Sequence, residues 1–527
     1  MNSPAQSALA AIAAYPAPPP VPAVEYRSAG RVLVIGDTPQ AGQVAGTLAD
    51  TLTVSLLLTK PTVATPDISL PVIYGEIESI TGWLGAFTTV WTGGSGSFDL
   101  VLNLTANRYF TMHQPPQGYF APGDTKALKQ AVAEILDGVG EFEKPKFFLY
   151  QEKTCAHSRS RLQGCDRCIE VCSTGAISAW GDHIRVEPHL CMGCGACATV
   201  CPSGSMQYNF PSMPYWGDKL NKALEAYRAA GGEDACLLLH NPGDGAALVQ
   251  ASTLPKNVIP LEAFHVASIG LDWLLGALAL GVRRVIILAV GNEAPQYLTA
   301  LREQMALGME ILRGLGYGAG HFGLVETSDA AVLQRALAAE PQGSVPRQPA
   351  AFHLFDDKRT TLEFCIEHFA RQAPVAVPDL IALSDGAPFG TIEIDGAACT
   401  LCLSCVGACP AAALQDGAGA PALKFIERNC VQCGLCENAC PENAIRLQPR
   451  LLLTPAAKLA HVLHEDQPFP CVRCGKPFAT AHMVGAMLHK LAGHSMFITP
   501  EARRRLQMCG DCRVKDMMEA GGAIAVE

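Results

Sequence analysis

The sequence CTLCLSCVGACP spans residues 399–410, and a second run of the same design, CVQCGLCENACP, spans residues 430–441. Each run spaces four cysteines by two, two and three residues and places a proline directly after the fourth. Gaps of two residues let three thiolates converge on one metal centre from a tight loop. The fourth thiolate must come from elsewhere, and the proline stops the chain from continuing as a helix.

This tandem pattern resembles the bacterial dicluster ferredoxins, in which the fourth cysteine of each run ligates the other cluster. The resemblance implies two [4Fe–4S] sites, which we number 3 and 4. A disulfide framework is typical of short secreted chains, so the length of 527 residues argues against it. The implied ligands are Cys399, Cys402, Cys405 and Cys440 at site 3, and Cys430, Cys433, Cys436 and Cys409 at site 4.

An upstream copy of the pattern departs from it at one position. The run CMGCGACATVCP over residues 191–202 is complete, but in the run before it Leu162 occupies the position of the first cysteine. We expect Cys155 to substitute, supplied through the longer loop 156–164. By the same resemblance, the ligands are Cys155, Cys165, Cys168 and Cys201 at site 1, and Cys191, Cys194, Cys197 and Cys172 at site 2.

Two alternatives stay open at site 1. His157 could ligate instead of Cys155, or the site has three ligands and holds a three-iron cluster. Ser173 replaces the usual proline after Cys172, which alters the turn without removing a ligand.

A third cysteine motif near the C-terminus is of another kind. Two C-x2-C knuckles, each bringing two thiolates to one ion, predict a tetrahedral four-cysteine site that holds zinc, with a mononuclear iron as the alternative. The residues between them predict a small helical cap, and the site clamps the tail. Cys236 and Cys365 lie outside all these motifs, and we expect both to be buried structural thiols. The ligands of the four-cysteine site are Cys471, Cys474, Cys509 and Cys512.

Composition limits the class of protein. The net charge of −10 argues against a nucleic-acid surface. The apolar stretch 269–290 is interrupted by charged residues, which predicts a buried helix and a buried strand and no transmembrane segment. Residues 1–27 are rich in Ala and Pro without a basic start, so we expect a disordered leader. So many free thiolates require a reducing compartment, which predicts a cytoplasmic protein.

Alternating apolar strands and helices predict two α/β domains with parallel sheets, over residues 28–145 and 213–345. Each precedes a dicluster ferredoxin-like α+β module, over residues 146–212 and 389–450. A linker with a helix (346–388) and the zinc-knuckle tail (451–527) complete this multidomain α/β plus α+β arrangement. The first domain is Rossmann-like, but Gly36, Gly42 and Gly46 do not have the G-x-G-x-x-G spacing. We therefore expect a scaffold there, without flavin.

A second resemblance concerns the middle domain. The order of Val266-Ala-Ser-Ile-Gly270, the segment Ala279–Arg284, a strand and a long helix containing Arg302 is similar to the delta-subunit domain of methyl-viologen-reducing hydrogenases. That domain carries cysteines for a [2Fe–2S] cluster, whereas the matching strand end here, Ala289-Val-Gly-Asn292, has none. As a whole, the chain resembles the multi-cluster 4Fe–4S proteins that accompany molybdenum formate dehydrogenases and heterodisulfide-reductase complexes.

These patterns predict a non-catalytic carrier that relays single electrons through four [4Fe–4S] clusters to or from a partner oxidoreductase. The expected partners are redox proteins: a ferredoxin, a flavoprotein or a dehydrogenase subunit. No Ser-His-Asp, paired-carboxylate or Walker pattern competes with the cysteines for the function. Two other hypotheses stay open: an oxidoreductase subunit that binds flavin or NAD(P), and a maturation or scaffold factor for a metalloenzyme.

Overall fold

The computed structural model describes residues 3–60, 70–339 and 342–520. The first α/β domain contains the predicted parallel sheet. Helices Pro39–Ala49 and Thr125–Asp137 share one core with the sheet, and an antiparallel sheet that the sequence patterns did not predict packs on the other face. The parallel strands are, in spatial order, Val72–Tyr74, Thr53–Leu58, Arg31–Gly36, Leu100–Asn103 and Tyr119–Phe120; the antiparallel ones are Ile77–Thr81, Phe87–Trp91 and Gly94–Phe98.

The expectation of a disordered leader over residues 1–27 is wrong for the residues that are described. Helix Pro4–Ala14 starts with a capping box at Ser3 and buries Ala8 in the core of the middle domain. Strand Ala23–Ser28 then pairs antiparallel with Gly140–Pro145. The alanine-rich composition favours a helix, and the cap defines where it begins. Residues 1–2 lie outside the described part.

The middle domain is a four-stranded parallel sheet with helices around it. Helix Leu271–Ala279 is buried at every position except Asp272, and strand Arg284–Ala289 follows it, which confirms the expected buried helix and strand. Within the three described ranges, no helix is both long and apolar enough to cross a bilayer. The strands are, in spatial order, Val258–Glu262, Cys236–His240, Arg284–Ala289 and Phe322–Glu326; the other helices are Met213–Ala229, Asp244–Ala251, Pro295–Gly314, Ala330–Ala338 and Lys358–Arg371.

The two cysteine modules share one topology. In each, the first and last strands pair antiparallel, a hairpin separates the two cysteine runs, and each run continues into a short helix. Module 1 has strands Phe148–Tyr150, Ile177–Trp180, His183–Val186 and Met206–Tyr208 with helices Arg167–Glu170 and Ala196–Val200. Module 2 has strands Gly390–Ile394, Leu414–Gly417, Ala420–Phe425 and Ile445–Leu452 with helices Ser404–Ala408 and Leu435–Asn438.

Module 2 extends beyond the expected boundary at residue 450. Strand His461–Glu465 adds to the hairpin strand Ala420–Phe425, and Leu380–Ala382 from the linker pairs with Ile445–Leu452. The tail that follows is a small hairpin with three helices, and residues 521–527 lie outside the described part. Its elements are strands Pro468–Pro470 and Pro477–Thr480 and helices Ala481–Lys490, Pro500–Leu506 and Gly510–Ala520.

Candidate metal centres

Site 1 gathers its four expected thiols in the folded chain. The pKa of Cys165 is raised to about 11: burial is the largest cause, a backbone N–H of Arg167 opposes it, and the nearby thiols of Cys201 and Cys155 add to it. The pKa of Cys168 is also raised, by burial first and then by Cys201, Cys165 and Cys155. Cys155 also shares one core with Cys168 and Cys201, so the cysteine from the distant position 155 lies with the other three.

A hairpin explains how Cys155 reaches this place. Strands Ser158–Arg159 and Leu162–Gln163 pair antiparallel, and the amide of Cys165 donates to the carbonyl oxygen of Ala156 over 2.8 Å. Cys155 and Cys165 thus stand at the base of a hairpin that takes the place of the usual two-residue gap. The expected longer loop is this hairpin. Asp182 fastens its turn, because the carboxylate accepts hydrogen bonds from the backbone amides of residues 160 and 161.

His157, the alternative ligand, has other contacts. Its Nδ1 lies 2.7 Å from the carboxylate of Asp166 and 3.3 Å from the carbonyl oxygen of Cys165. The side chain is buried. These contacts orient the ring within the hairpin base.

Site 2 gathers the other four thiols of module 1. Burial raises the pKa of Cys197 well above its ordinary value, and Cys194, Cys191 and Cys172 raise it further. Ser173, which replaces the usual proline, is buried and forms a hydrogen bond with the hydroxyl of Tyr297. Tyr297 belongs to the long helix of the middle domain, so the substitution attaches site 2 to that domain.

Sites 3 and 4 line two small cavities inside module 2. All four site 3 cysteines face one cavity together with Leu401, Leu403 and Leu423. All four site 4 cysteines face the other together with Ile392, Phe425 and Leu447. Each cavity therefore joins four thiols to apolar walls, which suits a buried cluster held by thiolates.

Hydrogen-bond donors also point at the sulfur atoms. The amide of Ala444 donates to Cys440 Sγ over 3.3 Å, and the side-chain amide of Gln432 donates to Cys430 Sγ over 3.3 Å. In module 1 a backbone amide, that of residue 206, lies 3.5 Å from Cys201 Sγ. Such donors stabilise negative charge on sulfur. All 22 cysteines are free thiols, so the donor set fits iron–sulfur clusters.

The four sites form one succession. Between sites 2 and 1, Cys168 contributes to raising the pKa of Cys197. Burial and the other thiols of site 2 raise this pKa more. Between sites 1 and 4, Cys165 contributes to raising the pKa of Cys433, which burial brings to about 12. Between sites 4 and 3, Cys405 contributes to raising the pKa of Cys436. Burial and the three thiols of site 4 itself raise this pKa more. The same pairs share hydrophobic cores: Cys168 with Cys197, Cys165 with Cys433, and Cys405 with Cys436. The order along the molecule is therefore 2, 1, 4, 3.

The link between sites 1 and 4 is also the interface of the two modules. Cys165 and Cys433 pack against a core made of Ala156, Ala408 and Leu435. The side-chain amide of residue 438 donates to the carbonyl oxygen of residue 163 over 2.8 Å, across a separation of 275 positions. No local pattern in the sequence signals a contact between segments so far apart.

The four-cysteine site is assembled in the tail. Its four sulfur atoms lie within 4.8 Å of one another. Burial acts to raise the pKa of Cys471, but backbone N–H groups of Cys509, Cys474 and Arg473 outweigh it and lower this pKa to about 6. A preformed set of four thiols suits a tetrahedral metal ion. The tail adjoins site 3, since the hydroxyl of residue 480 donates to the carbonyl oxygen of residue 400.

The two remaining cysteines are both buried, as expected. Cys236 and Cys365 are buried in the two cores of the middle domain, away from the other thiols. Burial raises the pKa of Cys236 to about 11, which keeps the thiol protonated.

Comparisons with known proteins agree with the two modules. Two family models, each described as "4Fe-4S dicluster domain", match residues 163–205 and residues 398–445, respectively. A probable iron-sulfur subunit of the Frd operon from Proteus vulgaris is 32% identical over 83 residues, which are 16% of this chain and 51% of the relative. "Hydrogenase-4 component A" of Escherichia coli is 46% identical over 39 residues, 7% of this chain and 19% of the relative.

A "Ferredoxin 7Fe" of Hydrogenibacillus schlegelii is 28% identical over 61 residues, 12% of this chain and 78% of the relative. The chain spans about half of the first relative and about a fifth of the second. Each of these likenesses covers 16% of this chain or less. Two 4Fe–4S dicluster domains are therefore part of this chain.

Proposed function

We propose that this protein is an electron carrier that relays single electrons between redox partners through four [4Fe–4S] sites. Bound clusters supply the one-electron oxidation and reduction. The shared cores that bring together cysteines of sites 2 and 1, of sites 1 and 4 and of sites 4 and 3 carry this proposal. The sixteen ligands are those of sites 1 to 4 as numbered above, with Cys155 completing site 1.

The two ends of the succession differ in their surroundings. At site 3, Cys402 is exposed. At site 2, Tyr297 covers Cys194 and Lys144 from the first α/β domain lies beside Cys191. We therefore propose that one partner docks at the site 3 end. The α/β domains shield the other end.

The proposed partner is another subunit of an oxidoreductase complex, of the formate dehydrogenase or heterodisulfide-reductase kind. The printed names of two relatives, a hydrogenase component and an iron-sulfur subunit, support such a role. Thiols in a free state suit a reducing compartment such as the cytoplasm. In this proposal the first α/β domain is a scaffold, because Gly36 allows strand and helix to pack closely: a Cβ there would lie 2.1 Å from the Cβ of Ala41.

Reductive titration tests the electron-carrier function. We expect anaerobically purified protein to take up about four electrons per chain, one for each site, and to release them to an oxidant. The visible absorbance and the EPR spectrum of the reduced form report the uptake. Clusters that stay oxidised with a strong low-potential reductant would instead favour the scaffold or maturation hypothesis.

Replacing Cys509 with alanine tests the metal of the tail. We expect the loss of one zinc ion per chain with no loss of iron. A structural zinc site contributes about 10–16 kcal/mol of apparent binding free energy, so the tail helices should lose their order. Metal analysis and hydrogen exchange over residues 500–520 measure both effects. Cys236→Ala is the control for loss of a thiol, and a wild-type protein with iron in place of zinc would contradict the zinc assignment.

A further inference from the structure

Two adjacent cations, Lys358 and Arg359, stand where the linker helix Lys358–Arg371 meets both modules. Lys358 is buried, and its Nζ donates to the carbonyl oxygens of Ala198 and Thr199 in module 1, over 2.9 and 2.6 Å. Both carbonyls lie in the short helix Ala196–Val200, between Cys197 and Cys201. The first residue of the linker helix therefore binds module 1.

Arg359, the second residue, points into module 2. Its Nη2 donates to the carbonyl oxygens of Arg428 and Cys430, over 2.8 and 3.3 Å, and its Nη1 donates to that of Pro388 over 2.6 Å. The guanidinium lies 4.6 Å from the centroid of the Phe389 ring. A neutral donor could form the hydrogen bonds, but the aromatic face also favours a cation. The group is held against the loop that carries a site 4 ligand.

The charge of Arg359 is not cancelled by a close carboxylate. Among the described residues, no carboxylate oxygen lies within 4.0 Å of its nitrogen atoms, whereas Arg428 and Arg450 pair with Glu363 and Glu427. An arginine guanidinium is not deprotonated in proteins, so the side chain is charged at neutral pH. Asp357, at the N-cap of the helix, attracts the guanidinium of Arg359 from a distance. Its carboxylate accepts the capping hydrogen bond from the backbone amide of Thr360.

We propose that Arg359 is a positioning residue for site 4, whose fixed positive charge stabilises the reduced form of a cluster bound there. The inference rests on the proposed function, because it requires a redox-active cluster at Cys430. Reduction adds one negative charge to the site. A cation held beside the Cys430 loop lowers the free energy of that state more than that of the oxidised one, and partial burial limits screening by solvent. The bonds to backbone carbonyls keep the charge in place, so little reorganisation is needed when the electron arrives.

The test is a potentiometric titration of Arg359→Met, followed by EPR. We expect one of the four reduction midpoints to become more negative by about 59 mV or more, which is a tenfold change in a one-electron equilibrium. The other three midpoints should stay in place. Arg359→Lys, which keeps the charge, should restore most of the midpoint, and Arg371→Met at the exposed far end of the same helix should leave all four unchanged.

Four unchanged midpoints in Arg359→Met with full iron content would overturn the inference. So would an Arg359→Lys variant with full iron content and a shift as large as that of the methionine variant, because the effect would then come from packing. If the methionine variant loses iron, the lysine variant decides between these outcomes. Failure of the proposed function is distinguishable, since the wild-type protein itself would then contain no reducible cluster.

Discussion

Replacing Cys155 with alanine is expected to remove between one and four irons per chain, out of about sixteen. Cys155 shares site 1 with Cys165, Cys168 and Cys201, so its loss leaves three thiolates. A cubane with three thiolates either loses the iron at the free corner or falls apart. Iron and sulfide analysis counts the loss, and a new EPR signal in the oxidised protein reports a three-iron cluster.

Two control variants make this result specific. Cys365→Ala removes a buried thiol that lies outside every site and should keep all the iron. His157→Gln removes the alternative ligand, whose ring contacts Asp166. We expect it to keep the iron as well. Full iron in Cys155→Ala together with a loss in His157→Gln would assign the fourth ligand to the histidine.

Replacing Leu435 with glutamate is expected to separate the two modules electronically. Leu435 is fully buried between Ala156 and Ala408 at the interface of sites 1 and 4. An uncompensated buried charge costs about 3–5 kcal/mol, so we expect the interface to open. The magnetic interaction between the reduced clusters on either side should then weaken, which EPR of the fully reduced protein measures.

Val462→Glu is the matched control, because it also replaces an apolar side chain of module 2 with a carboxylate. Val462 is 48% exposed, lies in strand His461–Glu465 and belongs to none of the cores that hold the cysteines. We expect this variant to keep both the iron and the magnetic interaction. An unchanged interaction in Leu435→Glu, with full iron content, would contradict the contact between sites 1 and 4 as a link of the relay.

Local patterns in the sequence predicted the parts of the structure that local physics determines. The cysteine runs predicted two dicluster domains, which the family matches over residues 163–205 and 398–445 confirm. Alternating apolar segments predicted the two α/β domains, which contain strands such as Thr53–Leu58 and Val258–Glu262. Periodicity reveals such elements because each is defined by its own side chains. The antiparallel strands Phe87–Trp91 and Gly94–Phe98 had a signal of their own, the turn at residues 92–93, which our prediction omitted.

Contacts between helices and strands that are far apart in the chain could not be predicted from the sequence. The order of the four sites depends on Leu435 meeting Gly164, where a Cβ would lie 2.7 Å from the leucine side chain. Likewise, nothing local distinguishes Arg359 from any other arginine at the start of a helix. The disordered leader was a wrong prediction because its partner, helix Met213–Ala229, lies far away in the sequence. Such contacts depend on tertiary packing, which periodicity does not report.

Metal and sulfide analysis of the anaerobically purified protein tests the central claim most directly. Four cubanes and one four-cysteine site predict about sixteen irons, about sixteen sulfides and one zinc per chain. A value near eight irons would mean that one module holds no clusters and that the relay is incomplete. Colourless protein that stays free of iron after anaerobic reconstitution would contradict the account.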